Sequence, residues 1–377
     1  MHTRLNVIYG LVISLILCLL PGMVASASTI VQISCGGFHS LVLKSDGTVW
    51  AWGLNIHGQL GDGTNTDRKT PVQVKELGNV AAIAGGVWHS IALKTDGTVW
   101  TWGGNWAGQL GDGTTKSRNT PVQVNDLRGI TAIATMGQHS VVLKSDGTVW
   151  AWGRNAYGQL GDGTTTDRRT PVQARVLTNI VSIAGGGYHG LARKADGTIW
   201  SWGLNTYGQV GDGSTTDRAI PVSVNGLDNG ISINCGGDHS IALKNNGTVM
   251  TWGFNQSSQL GDGSTVSRST PYPVDGLKNV TAIASGGDHN VVLKSDGTVW
   301  AWGSNNSGQL GDGTTTDRGV PTRVKNLEYM SFVSCGEQHS LTLKSDGTLW
   351  GWGLNKNGQL GDGSTSNRNI PTQVICK

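Results

Sequence analysis

Glutamate is almost missing from this chain, with three residues in 377, and charged side chains make up only 14% of it. Such a composition argues against a fold built on helices and suits short strands joined by turns, the more so because glycine numbers 58. The net charge of +3 offers no strong field to nucleic acid or to an anionic membrane, so neither is expected as a partner. Long hydrophobic runs are scarce too. The one of note, Val7 to Leu20, is short for a membrane span. It follows Arg4, breaks at Pro21 and Gly22, and leads to Ala25-Ser26-Ala27, a small-residue cleavage site. Residues 1–27 therefore read as a secretory signal peptide. No second span follows, so no membrane insertion is expected after cleavage, and the mature protein is expected outside the cytoplasm: secreted, periplasmic or at the cell surface.

Chemical signatures are also missing. There is no nucleophile elbow, zinc-protease motif or dinucleotide fingerprint, so no catalytic residue, metal site or cofactor is expected and the chain does not read as an enzyme. Cysteine is sparse, at five residues. Cys18 belongs to the leader. Cys35, Cys235 and Cys335 share one repeat position, held elsewhere by Gly85, Thr135, Gly185 and Ser285, and small occupants throughout mark a tight buried site. Cys35 and Cys335 would be neighbours if the repeats close into a ring, where an oxidising compartment permits a bond. With Cys376 there are four cysteines, and three full pairings stay open.

What is present is a repeat. His39, His89, His139, His189, His239, His289 and His339 recur every 50 residues without insertion or deletion. Residues 28–377 number 350, which is seven such units. In the second unit, Val80–Ala84 reads as a first strand and His89–Lys94, alternating with period two, as a second. Thr95–Thr98 contains Asp-Gly, the signal of a type I′ hairpin turn. Thr98–Gly103 is a third strand with Trp100 and Trp102 on one face. A glycine-rich loop leads to a fourth, Pro121–Val124, with proline in its first position. Four strands per unit and seven units point to an all-β fold: a single seven-bladed β-propeller of four antiparallel strands per blade, over residues 28–377, with the chain termini meeting at the ring closure. A linear solenoid would need polar caps, which whole repeats do not supply. A monomer is expected.

The stretch Asp46–Thr64, "DGTVWAWGLNIHGQLGDGT", followed by "PVQV" and the Gly-Gly-x-His-Ser element, resembles the regulator of chromosome condensation repeat. That resemblance spans the seven repeats and implies a seven-bladed propeller. Among relatives, the chain looks most like the secreted propeller-type inhibitors of β-lactamase, which implies binding to a protein through one face of the ring. The founding members act on a nuclear GTPase, and both the leader and the unbroken spacing, which leaves no inserted wedge, depart from them.

Shared positions then read as scaffold. Seven equivalent histidines lie around a circle and cannot converge on one ion, so each is expected to hydrogen-bond the backbone of its own blade. The "GDG" aspartates read as turn caps rather than a calcium site, and the recurring arginines, such as Arg68, as loop scaffold stacked on tryptophan or bonded to carbonyls. Function is expected where the repeats disagree. In a meander the loop after the first strand and the loop after the third open on one face. They carry Phe38, Ile56, Trp88, Trp106, Tyr157, Tyr188, Tyr207 and Phe254, with blades five to seven turning mostly polar or acidic. Aromatics on one side of a rigid rim have the composition of a protein-binding hot spot. The alternative is a repeated-site carbohydrate-binding or adhesive surface protein, using a set such as Trp52, Asn55 and Arg68 in every blade.

Overall fold

The computed structural model describes residues 28–135 and 137–375; residues 1–27, read above as a signal peptide, and Cys376 lie outside the described residues. Seven four-stranded antiparallel sheets follow one another, each made of consecutive strands, with first strands beginning at Ile30, Val80, Ile130, Ile180, Gly230, Val280 and Met330. In blade two the strands are Val80–Gly85, His89–Lys94, Val99–Gly103 and Arg118–Gln123. The first strands of all seven blades line a central channel of about 280 Å³ whose lining, among the described residues, includes no acid, histidine or cation. No blade is shared between chain ends, and the ring closes by packing blade seven on blade one. There Trp52 Nε1 donates to the Gln359 carbonyl (2.9 Å) and Cys35 N–H to Ser334 Oγ (3.0 Å).

Two local expectations are corrected. The hairpin turn is not type I′: of its residues only Gly97 has a positive φ, 80°. Gly97 N–H bonds the Lys94 carbonyl (2.9 Å) and Lys94 N–H the Thr98 carbonyl (2.9 Å), the pattern of a type I turn closed by a glycine bulge. The Asp96 carboxylate favours it by accepting from Thr98 N–H (2.9 Å) and Thr98 Oγ1 (2.6 Å). The fourth strand begins at Arg118, so Pro121 is internal to it. Proline is tolerated because this outer strand pairs on one side only, and its register shifts between Thr101 and Gly103, opposite the proline.

The histidines do not bond their own backbone. Six of the seven reach the next blade: His39 Nε2 lies 2.8 Å from Ser90 Oγ, which donates to the Gln59 carbonyl (2.9 Å), the same carbonyl that takes Trp102 Nε1–H (2.9 Å). Since the hydroxyl proton is spent on the carbonyl, His39 must donate from Nε2, which fixes its tautomer. Around the ring His89 meets Ser140, His189 meets Ser240, His289 meets Ser340, and His339 meets Ser40. In blade six Asn290 does both jobs, with Oδ1 on His239 (3.0 Å) and Nδ2 on the Gln259 carbonyl (2.7 Å). The circle breaks at His139, because Gly190 stands where the serine would be. In six blades a glycine precedes this turn, and it packs tightly there: a Cβ on Gly36 would stand 2.1 Å from His39 Cε1.

Candidate functional site: the aromatic rim

The loops after the first and third strands do open on one face, and they are joined there. Trp88 C=O accepts from Gly104 N–H (2.8 Å), and Phe38 C=O from Leu54 N–H (2.9 Å). The first loops also bond each other around the channel mouth. Gly37 donates to Gly86, Val87 to Gly137, Gly137 to Gly186, Gly187 to Gly237, Gly237 to Gly287, Gly287 to Glu337 and Glu337 to Gly37, at 2.9–3.3 Å. This closed circle of peptides holds every side chain of the rim on a fixed backbone.

The third loop is rigid for a different reason. In blade one the buried Asn55 donates from Nδ2 to Asp62 (3.1 Å) and to the carbonyls of Thr64 and Thr66 (3.1 Å each), and its Oδ1 accepts from Leu60 N–H (2.9 Å). Arg68 closes the loop with Nε and Nη2 on Asp62 Oδ2, at 2.8 and 2.7 Å. Burial alone would raise the Asp62 carboxyl; hydrogen bonds from Thr64 and Arg68 outweigh it and hold it below the usual carboxylate range. The arginine pairing with the "GDG" aspartate recurs in all seven blades. Arginine is thus an ion-pair partner rather than a tryptophan stack, and Asp67 Oδ1 accepts from Asn55 N–H (2.7 Å). The repeated-site set is not available at the surface, since Trp52 and Asn55 are fully buried.

The eight rim residues divide by contact. Phe38 lies tilted against Trp88 (centroids 5.3 Å apart), and Trp88 meets Trp106 edge-on (6.2 Å). His57 wedges between the two tryptophans, 5.4 and 4.9 Å from their rings, and burial holds its imidazole below the ordinary pKa. Trp106 Nε1 donates to Gln138 Oε1 (3.0 Å), which Arg154 also approaches (3.5 Å) while lying over Tyr188. Tyr188 packs edge-on against Tyr157 (5.5 Å). A continuous crescent therefore runs from Phe38 in blade one to Tyr188 in blade four, and Tyr207 with Phe254 (4.5 Å) forms a separate pair beyond it. Ile56, Trp106 and Tyr207 are the most exposed, at 54%, 42% and 37%, and the rest are half-buried. His57, Gln138 and Arg154 were not singled out in the sequence. Gln138 and His57 stand at the repeat positions of Trp88 and Tyr157, and Arg154 at that of Phe254, so their place in the variable loops is the signal that marks them.

The geometry can be set beside known proteins. The RCC1-like domain model matches residues 14–189 and 168–341, and the regulator of chromosome condensation repeat matches 331–359 and 346–375. Curated relatives match over about one repeat. They include the mitochondrial RCC1 domain-containing protein RUG3 of Arabidopsis thaliana (46% identical over 48 residues, 13% of this chain and 11% of the relative). The ultraviolet-B receptor UVR8 of the same plant is 50% identical over 50 residues, again 13% and 11%. The aligned stretch thus spans a small part of these relatives' length. Among solved structures, Prp20p from Saccharomyces cerevisiae superposes with a TM-score of 0.80 at 24% identity, covering 89% of this chain and 88% of that one. Human WBSCR16 gives 0.76 at 27%, covering 84% and 87%. With the domain model matched along most of its length and seven blades built on the repeat, the chain belongs to the RCC1-like domain family of seven-bladed propellers.

Proposed function

We propose that this chain is an exported, non-enzymatic binding module that grips a protein partner through the crescent from Phe38 to Tyr188. The observation that carries this reading is the contiguity of Phe38, Trp88, His57, Trp106, Gln138, Arg154, Tyr188 and Tyr157 on a backbone already locked by hydrogen bonds. Aromatic side chains held in place lose little entropy when they bind, so their contact area converts efficiently into affinity. Export rests on the leader-like residues 1–27. Likeness to propeller-type β-lactamase inhibitors supports the finer reading that the partner is an enzyme and that binding inhibits it. The binding of Prp20p to Gsp1p and histones is a property of that protein, with which this chain shares a fold.

The test is an affinity capture from the protein's native surroundings with the wild type beside Trp88→Ala/Trp106→Ala/Tyr188→Ala. The variant is expected to fold, because these side chains lie outside the buried clusters between blades, and to lose the partner. Equal capture by a folded variant sinks the reading.

A further inference from the structure

The crescent gives way, in blades five to seven, to three carboxyl groups on the same rim. Asp238 and Asp288 occupy the position that Trp88 and Tyr188 hold in blades two and four. Glu337 stands one residue earlier in its blade, where five other blades have glycine. Its backbone keeps both bonds of the peptide circle, to Gly37 (3.2 Å) and from Gly287 (3.1 Å). Its side chain folds inward: Oε2 would stand 2.5 Å from a Cβ built on Gly287. Burial, then repulsion from Asp288 and Asp238, pushes the Glu337 carboxyl up to about 7, and burial with Asp288 raises Asp238 as well.

The neutralisation of these groups is the informative point. This chain gives each of its seven largely buried loop aspartates a dedicated arginine. The rim acids receive only amides, with Gln209 Nε2 donating to Asp238 (3.3 Å) and Gln259 Nε2 to Asp288 (2.8 Å). Among the described residues no lysine or arginine pairs with any of the three. Nor do they form a cluster able to hold a metal ion. Partly desolvated like charges without a counter-charge are unfavourable in the free protein, and an incoming cation relieves that cost.

We infer that the acidic sector formed by Asp238, Asp288 and Glu337 receives a lysine or arginine side chain of the protein whose apolar surface lies on the aromatic crescent. The inference rests on the proposed binding function and adds the partner's chemistry: an apolar contact with a basic residue beside it, facing the channel mouth. A guanidinium or ammonium group at that point meets two or three carboxylates at once, whereas a neutral partner would leave them desolvated and unpaired.

The probe is a phage-displayed library of disulfide-closed peptides selected on the full chain. Enriched peptides are then measured on Asp238→Asn/Asp288→Asn/Glu337→Gln and on Trp88→Ala/Trp106→Ala/Tyr188→Ala, each verified as folded by its thermal midpoint. Enriched peptides are expected to carry lysine or arginine beside an apolar residue and to lose about tenfold or more in affinity on the amide variant. Added salt should weaken them on the wild type and change little on that variant. Peptides without a basic residue, equal affinity for the amide variant, or no enrichment over it overturn the inference. If such peptides still fail on the aromatic variant, the crescent reading survives alone; equal affinity for both variants removes both.

Discussion

At the residue scale, the adjacent pair Trp88 and His89 divides the molecule. Trp88 is half-buried on the rim, and its neighbour is fully buried between blades. Burial first, and then the neighbouring imidazoles, hold His39, His189 and His289 at about 3; His89 and His339 also fall to about 3, His139 to about 4, and His239 is lowered too. In the unfolded chain these groups return to the ordinary 6.5, so the folded state binds fewer protons. Stability is therefore complete above pH about 6.5 and is lost as pH falls towards the folded values, by up to about 1.4 kcal/mol per pH unit for each histidine. The urea midpoint should be flat above about pH 7 and fall steeply between about pH 6 and 5. His89→Gln should remove roughly one proton from the slope. A midpoint independent of pH over that range contradicts the neutral-imidazole account. Sequence reasoning placed these histidines in the scaffold but gave them the wrong partner. A period of 50 says that two positions are equivalent, and it does not say that residue 39 of one blade faces residue 90 of the next.

At the element scale, the blade was legible because it is local. Alternation, Asp-Gly and the paired tryptophans determine three of its strands within one or two residues. The fourth was misjudged because its start depends on Arg68-type pairing across a loop, a contact that no local pattern displays. The seams between blades were also hidden. In six of them a leucine at the end of the second strand packs into one cluster with a tryptophan of the next blade, as Leu43 does with Trp100 and Leu343 with Trp50. Between blades four and five the leucine is Arg193, the tryptophan is Met250, and Gly230 replaces a larger apolar residue. The Arg193 Nε is buried without a hydrogen-bond partner among the described residues. Burying a polar atom unpaired costs about 1–3 kcal/mol, so Arg193→Leu should raise the unfolding free energy by an amount in that range, read as a higher urea midpoint. A lower midpoint would show that the guanidinium supports the seam. Leu243→Arg, at the next seam and opposite Trp300, should be destabilising by at least as much.

At the scale of the whole molecule, seven near-identical blades make a ring that is uniform inside and asymmetric on its rim. The architecture could be read from the period, because seven histidines recur every 50 residues and each interval carries four strand signals. The rim could be read only as a list of variable residues. Its joining into one crescent depends on Gln138 and Arg154, which bridge blades two to four, and such bridges appear only when the blades are placed side by side. The opposite mouth of the channel also exposes apolar residues, among them Val31, Ile231, Tyr329 and Phe332, so the choice of face is itself open to experiment. The most direct test is hydrogen–deuterium exchange on the ring, free and bound to the captured protein, with the stoichiometry of the complex weighed by native mass spectrometry. One partner per ring is expected, with protection concentrated in the loops around Trp88, Trp106, Gln138, Tyr157 and Tyr188. Several partners per ring, even protection across all seven blades, or protection around Phe332 and Tyr329 would contradict the account.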